Sequence, residues 1–297
     1  MKKLKNRRSF SSVNKTMRVS LKKYFPIFML PTLVAFIIGF VWPFLWGIYL
    51  SFFKFKTLKF TEFNGIKNYI LAFQDDTFLN AFQFTSVFAL VAVLLINVCA
   101  FALALALTSK VKGTTIFRTI FFMPNLVGGI VLAYVWKAIL NELIYILFDS
   151  QLVLETSFGF WSLIIVLCWQ QIGYMMIIYI AGLQSVPNEF VEAARIDGAT
   201  NWQVLSKVTI PTVMPSITIC LFLSLTNSFK LFDQNLALTN GSPNKTTEMM
   251  ALNIYNSFYQ SATNMGVGQA KAVIFFVMVV SISLIQLYFT KRKEVQQ

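Results

Sequence analysis

Two clusters of uncharged polar side chains stand out in this apolar chain of 297 residues. In WQQIGYM, which begins at Trp169, Gln170 and Tyr174 share a helical face at i,i+4, and Gln171 lies beside them. Further on, Ser224, Asn227, Ser228 and Leu231 recur at i, i+3, i+4 and i+7, with Lys230 and Asp233 close by. Amides, hydroxyls and flat rings together suit a sugar, whose apolar faces are edged by hydroxyl groups. The same side chains are also ordinary hydrogen-bonding glue between membrane helices. Unpaired amides are costly in hydrocarbon, so under either reading these faces should point into a helix bundle. The many Phe residues read as lipid-facing or packing groups rather than as part of such a site.

Covalent chemistry has little to work with. The chain has no His, which removes the commonest general base and metal ligand. GSPNKT at Gly241 lacks the second Gly and the spacing of a phosphate-binding P-loop, so the chain is not by itself a P-loop ATPase. Cys99, Cys168 and Cys220 fall singly inside apolar runs and read as small buried residues, implying neither disulfide nor metal. No catalytic residue, metal or cofactor is expected.

The elements that must position the polar clusters follow from composition. Only 12% of residues are charged and 57% are apolar, and the charges gather between long uncharged stretches. Backbone polar groups have no partners in hydrocarbon, so such stretches should be helices of about 20 residues. Six are expected, over residues 25–53, 79–107, 119–136, 159–183, 212–229 and 272–288, each without Asp, Glu, Lys or Arg. The fold class is therefore an all-α membrane protein: a basic tail over 1–24, a six-helix domain over 25–290, and a short tail over 291–297. The first run is too long for a signal-peptide core and reads as a retained anchor. Seventeen of the 25 Lys and Arg fall in the tails and in the connections on the tails' side, which predicts that both termini are cytoplasmic. The net charge of +13 then reflects topology and anionic lipid, with no nucleic-acid partner. An ion-coupled carrier usually keeps an ionisable group within a span. Its absence from these runs points to energy supplied by another subunit.

Between the fourth and fifth runs lies EFVEAARIDGATNWQVLSKVTIP, residues 189–211. Phe190, Ala193, Ala194 and Ile196 fall near one face, Glu192 can pair with Arg195, and Gly198 suits a helix C′ position. Thr200-Asn201-Trp202-Gln203 has the pattern of a capping box, opening a second short helix with a Trp202, Leu205 and Val208 stripe that Pro211 ends. Helices this short cannot span a bilayer. They form either an interfacial pair resting on lipid or a rigid knob aimed at a cytoplasmic partner. Lys and Arg are sparse on the polar face, which argues for the knob.

This segment closely resembles the EAA motif of ABC importer permeases, E-A-A-x3-G-x9-I-x-L-P. It supplies Glu192, Ala193, Ala194 and Gly198, then Val208 for Ile, Ile210 for Leu, and Pro211. The version here looks like that of carbohydrate importers of the maltose and glycerol-phosphate type. So do FKLFDQNLALTNGSPNKTTEMMALNIY, where Ser242 stands for a second Gly, and MGVGQAKA before the last run. The resemblance covers most of the chain and implies a six-helix permease subunit taking up a sugar, of di- or oligosaccharide size. It implies four protein partners: a second homologous permease, two ATPase subunits and an extracellular solute-binding lipoprotein. Residues 184–211 would be the coupling loop, in which Glu192, Ala193, Ala194, Gly198, Ile210 and Pro211 meet the ATPase. The two polar clusters would line the sugar pathway, and the outer loops 54–78 and 236–271 would form the docking surface. The alternative of a different class is a standalone channel or facilitator, in which the loop is merely interfacial.

Overall fold

In the computed structural model, residues 25–56, 59–108, 113–259, 264–292 and 294 are described, so the basic tail expected over 1–24 lies outside them. Six helices are long and apolar enough to cross a membrane: α1 (Phe25–Leu50), α3 (Asp76–Thr108), α5 (Gly129–Phe148), α6 (Thr156–Gln184), α8 (Asn201–Phe229) and α10 (Met265–Lys291). A hairpin, β1 (Phe53–Lys56) with β2 (Lys59–Phe63), and α2 (Lys67–Phe73) join the first two spans. α4 (Thr114–Phe122) precedes α5, α7 (Asn188–Ile196) precedes α8, and α9 (Met250–Tyr259) precedes α10.

α6 is the axle of the bundle. Half of its most apolar window is buried, against 0% of the α1 window, and its most extensive packing is against α3. Leu163, Leu167, Met175, Met176 and Tyr179 of α6 meet Phe88, Ile96 and Ala100 of α3 in one continuous core. Close approach on the other side depends on Gly173. A Cβ there would lie 1.8 Å from the carbonyl oxygen of Phe121, so only hydrogen lets the end of α4 rest against α6.

Prolines shape two of the spans. Pro43 and Pro211 each lack the N–H that would bond the carbonyl four residues earlier, and each ring would strike that carbonyl. Those carbonyls belong to Gly39 and Lys207, which lie inside the widened π-turns Ile37–Val41 and Leu205–Thr209. Widening the turn relieves the clash without ending the helix. The expectation that Pro211 ends a second short helix is therefore corrected. The helix begun at Asn201 runs on as the fifth span, and within its first turns Val204 is buried while Trp202 stays 71% exposed.

The third span is also displaced from its expected position. Residues 119–136 are apolar, but Pro124 in the 3₁₀ turn Met123–Leu126 and extended backbone at Val127 and Gly128 break the run. The spanning helix is Gly129–Phe148 instead and carries Lys137 and Glu142. α10 likewise begins before its uncharged run and includes Lys271. The expectation of charge-free spans is corrected on both counts.

Lys271 is the centre of a polar rivet. Only 3% of its side chain is exposed, and it forms an ion pair with Asp75 at 2.6 Å. It also donates to Asn253 Oδ1 at 3.0 Å and Ser257 Oγ at 2.9 Å, which uses all three ammonium hydrogens. The Asn253 amide in turn donates to the buried carboxylate of Glu248, as does the Asn256 amide. The start of α3, all of α9 and the start of α10 are thereby tied together. Residues 236–271 are consequently no loose polar loop: Leu238, Met249 and Met250 are fully buried.

Burial alone would raise the Asp75 carboxyl, but hydrogen bonds from Lys271 and Thr77 and the Lys271 charge hold it below the usual carboxylate range. Its stabilising contribution is complete above the unfolded value near 3.9 and is lost as pH falls through the lowered folded value. Changing Asp75 to Leu leaves a buried ammonium without its counter-charge and should cost about 3–5 kcal/mol. Asp75→Leu combined with Lys271→Met should cost less than that single change. Thermal unfolding of the purified protein in detergent at pH 7 measures both.

Candidate functional site

Asn97 is a lone amide in the middle of the long apolar α3 and cannot be left unpaired there. It donates to Ser224 Oγ on α8 at 2.8 Å and accepts from the Tyr179 hydroxyl on α6 at 2.7 Å. Its amide also donates to the Val93 carbonyl one turn back. This clasp fixes the register of α6 and α8 against α3. Two turns along α6 and about one along α8, the polar clusters converge. The Asn227 amide donates to Gln171 Oε1 at 3.2 Å.

Beside this contact, Gln170 Nε2 donates to the carbonyl of Val127 at 3.1 Å, and Gln170 Oε1 accepts from Gln234 Nε2 at 2.6 Å. Gln170, Gln171, Asn227 and Leu231 line a cleft of about 280 Å³. Lys230 and Asp233 lie on its exposed side, Gln234 on its buried side, and Gly129 at the start of α5 closes it. Asp233 Cβ would come within 3.0 Å of any Cβ at Gly129. Segment 230–249 folds back into the bundle through a π-turn, Asn235–Thr239, and brings Gln234 to the amides of α6. Recesses of about 520 and 660 Å³ lie between α3 and α6 and beside the rivet. The smaller cleft is the candidate site because it gathers the predicted amides.

Four of the seven residues expected on a solute pathway therefore share one cavity. Ser224 and Ser228 do not: both are fully buried, and their hydroxyls bond the carbonyls of Cys220 and Ser224 within α8. Tyr174 packs on the apolar core. Sequence reading missed Asn97, Tyr179 and Gln234. The isolated amide in an apolar run was a usable signal for Asn97, whereas Gln234 depends on a fold-back that no local pattern reveals.

The segment 188–211 stands apart from the cleft. α7 has no buried residue; Phe190 is 55% and Ile196 86% exposed. Pro187 is the N-cap of α7, and Glu192 and Arg195 form no ion pair with each other. The α7 end closes as expected. Gly198 N–H bonds Arg195 O at 3.1 Å and Ala199 N–H bonds Ala194 O at 3.0 Å, with Gly198 at φ +79°. Among the described residues no atom lies within 4 Å of a Cβ at Gly198, so the backbone conformation selects glycine there. Thr200 then forms the capping box: its N–H donates to Gln203 Oε1 at 2.7 Å, and its Oγ1 accepts from Gln203 N at 3.3 Å. Ala194, Asp197, Ala199 and Lys207 line a shallow recess of about 340 Å³ under the turn.

Six apolar spans, an interior amide cleft and a rigid exposed turn define a multi-pass membrane protein of the solute-permease class. Comparison with known families makes this specific: residues 113–295 match the binding-protein-dependent transport system inner membrane component, and the chain belongs to that family. The family is one of transport components rather than of enzymes. The chain is 43% identical to a probable starch degradation products transport system permease protein of Thermoanaerobacterium thermosulfurigenes, over 91% of this chain and 94% of that protein. It is 33% identical to a multiple sugar-binding transport system permease protein of Streptococcus mutans, over 94% of this chain and all of that one. In fold it resembles a chain of a bacterial ABC transporter involved in import of the acidic polysaccharide alginate. The TM-score is 0.78 at 20% identity, covering 93% of this chain and 99% of that one.

The clasp gives a direct test of the site's framework. Tyr179→Phe removes the donor to Asn97 Oδ1 with little change of volume and should cost on the order of 1 kcal/mol. Ser224→Ala should cost a similar amount, and the two together less than their sum, since they share Asn97. Equilibrium unfolding of the detergent-solubilised variants in a double-mutant cycle measures the coupling.

Proposed function

We propose that this chain is one permease subunit of an ATP-driven importer that takes up a saccharide handed over by an extracellular binding protein. The observation that carries the reading is the turn at Gly198: a rigid double cap that holds the apolar side chains of Phe190, Ile196 and Trp202 exposed. A capped turn of this kind resists deformation, so a push on α7 is passed into α8, which begins at Asn201 and runs unbroken past Asn227. Glu192, Ala193 and Ala194 present the face toward an ATPase subunit, Gly198 sets the bend, and Ile210 and Pro211 lie where the lever enters the membrane. Both termini and this turn are assigned to the cytoplasmic side.

Each monomer of an ATPase dimer needs its own knob, so a second related permease is expected around a pseudo-twofold axis. The relatives named for starch products and multiple sugars support a saccharide as cargo. The amide-lined cleft is chemically suited to one. Gln170, Gln171 and Asn227 are assigned to the pathway, with Leu231 as an apolar wall. Tyr174, Ser224 and Ser228 are assigned to the framework rather than to contact with the sugar. Loops near the hairpin and around Asn244 are assigned to the binding-protein side. Closure of the ATPase dimer would tilt α8 about the Asn97 clasp and change access to the cleft.

Affinity purification of the tagged chain from its native membranes in mild detergent tests the assembly. The wild type should recover an ATPase and a second six-span permease. Gly198→Pro, which cannot adopt φ +79°, should keep the permease and lose the ATPase. Equal ATPase recovery from both would remove the coupling role of the turn.

A further inference from the structure

The amides of the cleft form a directional relay, and its direction is fixed by chemistry. The Val127 carbonyl can only accept, so the group of Gln170 facing it is the NH₂, which donates at 3.1 Å. Gln170 Oε1 must then face a donor, which orients the Gln234 amide with its NH₂ toward Gln170 at 2.6 Å. Flipping either amide would set like groups against each other. The relay therefore ends on Gln234 Oε1, which is buried and accepts no hydrogen bond from the described residues. Gln234 is only 1% exposed, yet it forms part of the cleft wall. A buried acceptor without a donor costs free energy unless a ligand supplies the donor.

Resting on the saccharide reading of this cleft, we infer that Gln234 is a specificity-determining contact and that its Oε1 accepts from one particular hydroxyl of the cargo. Carboxylate, sulfate and phosphate groups present only acceptors when ionised and cannot fill that position. The deep end of the cleft thus selects a neutral hydroxyl-bearing ring, while the amides of Gln171 and Asn227 contact the rest.

The test uses the assembled permease–ATPase complex in lipid nanodiscs without the binding protein, so that only the membrane site is read. Calorimetric titration with maltotriose and its set of monodeoxy analogues gives the affinities. In the wild type, one monodeoxy analogue should bind roughly tenfold more weakly than maltotriose, the loss of a single hydrogen bond of about 1.4 kcal/mol. In Gln234→Met, maltotriose should weaken to that level and the discrimination at that hydroxyl should vanish. In Gln234→Glu the acceptor toward the cargo remains while the donor to Gln170 is lost, so the discrimination should persist. A merely structural role would instead weaken all analogues equally in both variants. Uniform affinity across the analogues, or discrimination unchanged in Gln234→Met, would overturn the inference while leaving saccharide binding intact. No binding of maltotriose or of other neutral saccharides by the wild type would overturn the saccharide reading itself.

Discussion

The architecture depends on one constraint: an amide inside a membrane bundle must find its partner inside the bundle. Asn97 meets that constraint by joining α3, α6 and α8 through Ser224 and Tyr179. Once those three helices are pinned at that height, their other polar groups are no longer free to choose neighbours. Gln171 meets Asn227, Gln170 turns toward Val127, and the fold-back after α8 delivers Gln234. The cleft is a consequence of the clasp. Glycine does the complementary work: Gly173 lets the end of α4 reach α6, the helix that carries the glutamines.

Away from the cleft, the molecule treats charge in two different ways. Lys271 and Asp75 are paired and saturated with hydrogen bonds, which makes them a fastener between α3, α9 and α10. Around residues 188–211 the charges are exposed and form no ion pair among the described residues, and apolar rings are exposed beside them. A buried satisfied network resists change, whereas an exposed apolar surface invites a partner. The first makes a rigid cap, and the second is the surface proposed to meet an ATPase subunit. The continuous helix from Asn201 to Phe229 connects that element to the cleft.

Much of this was legible in the residues, for identifiable reasons. The bend at Gly198 and the capping box at Thr200 are local devices, and local sequence determines them. The existence of six spans follows from hydrocarbon's lack of hydrogen-bond partners. Where prediction slipped, the cause was either how the backbone met a proline or glycine or how distant segments packed. An apolar run suggested a span over 119–136, yet Pro124 and Gly128 break it and the helix starts beyond them. Pro211 looked like a stop, but a widened turn carries the helix past it. Ser224, Asn227, Ser228 and Leu231 share one spacing, and the fold divides them: Ser224 joins the clasp, Ser228 bonds the Ser224 carbonyl, and Asn227 and Leu231 reach the cleft. Gln234 could not have been found, because its importance arises from a return of the chain into the bundle.

The central claim is that the cleft moves solute only when the protruding turn is driven by ATP hydrolysis in a partner. Uptake of radiolabelled maltotriose into sealed proteoliposomes tests it most directly, with this chain alone set against the assembled complex supplied with internal ATP and external binding protein. The account predicts accumulation above the external concentration by the complex, and no uptake by the chain alone. Equilibration of the sugar by the isolated chain, without ATP, would contradict it and show a self-sufficient facilitator.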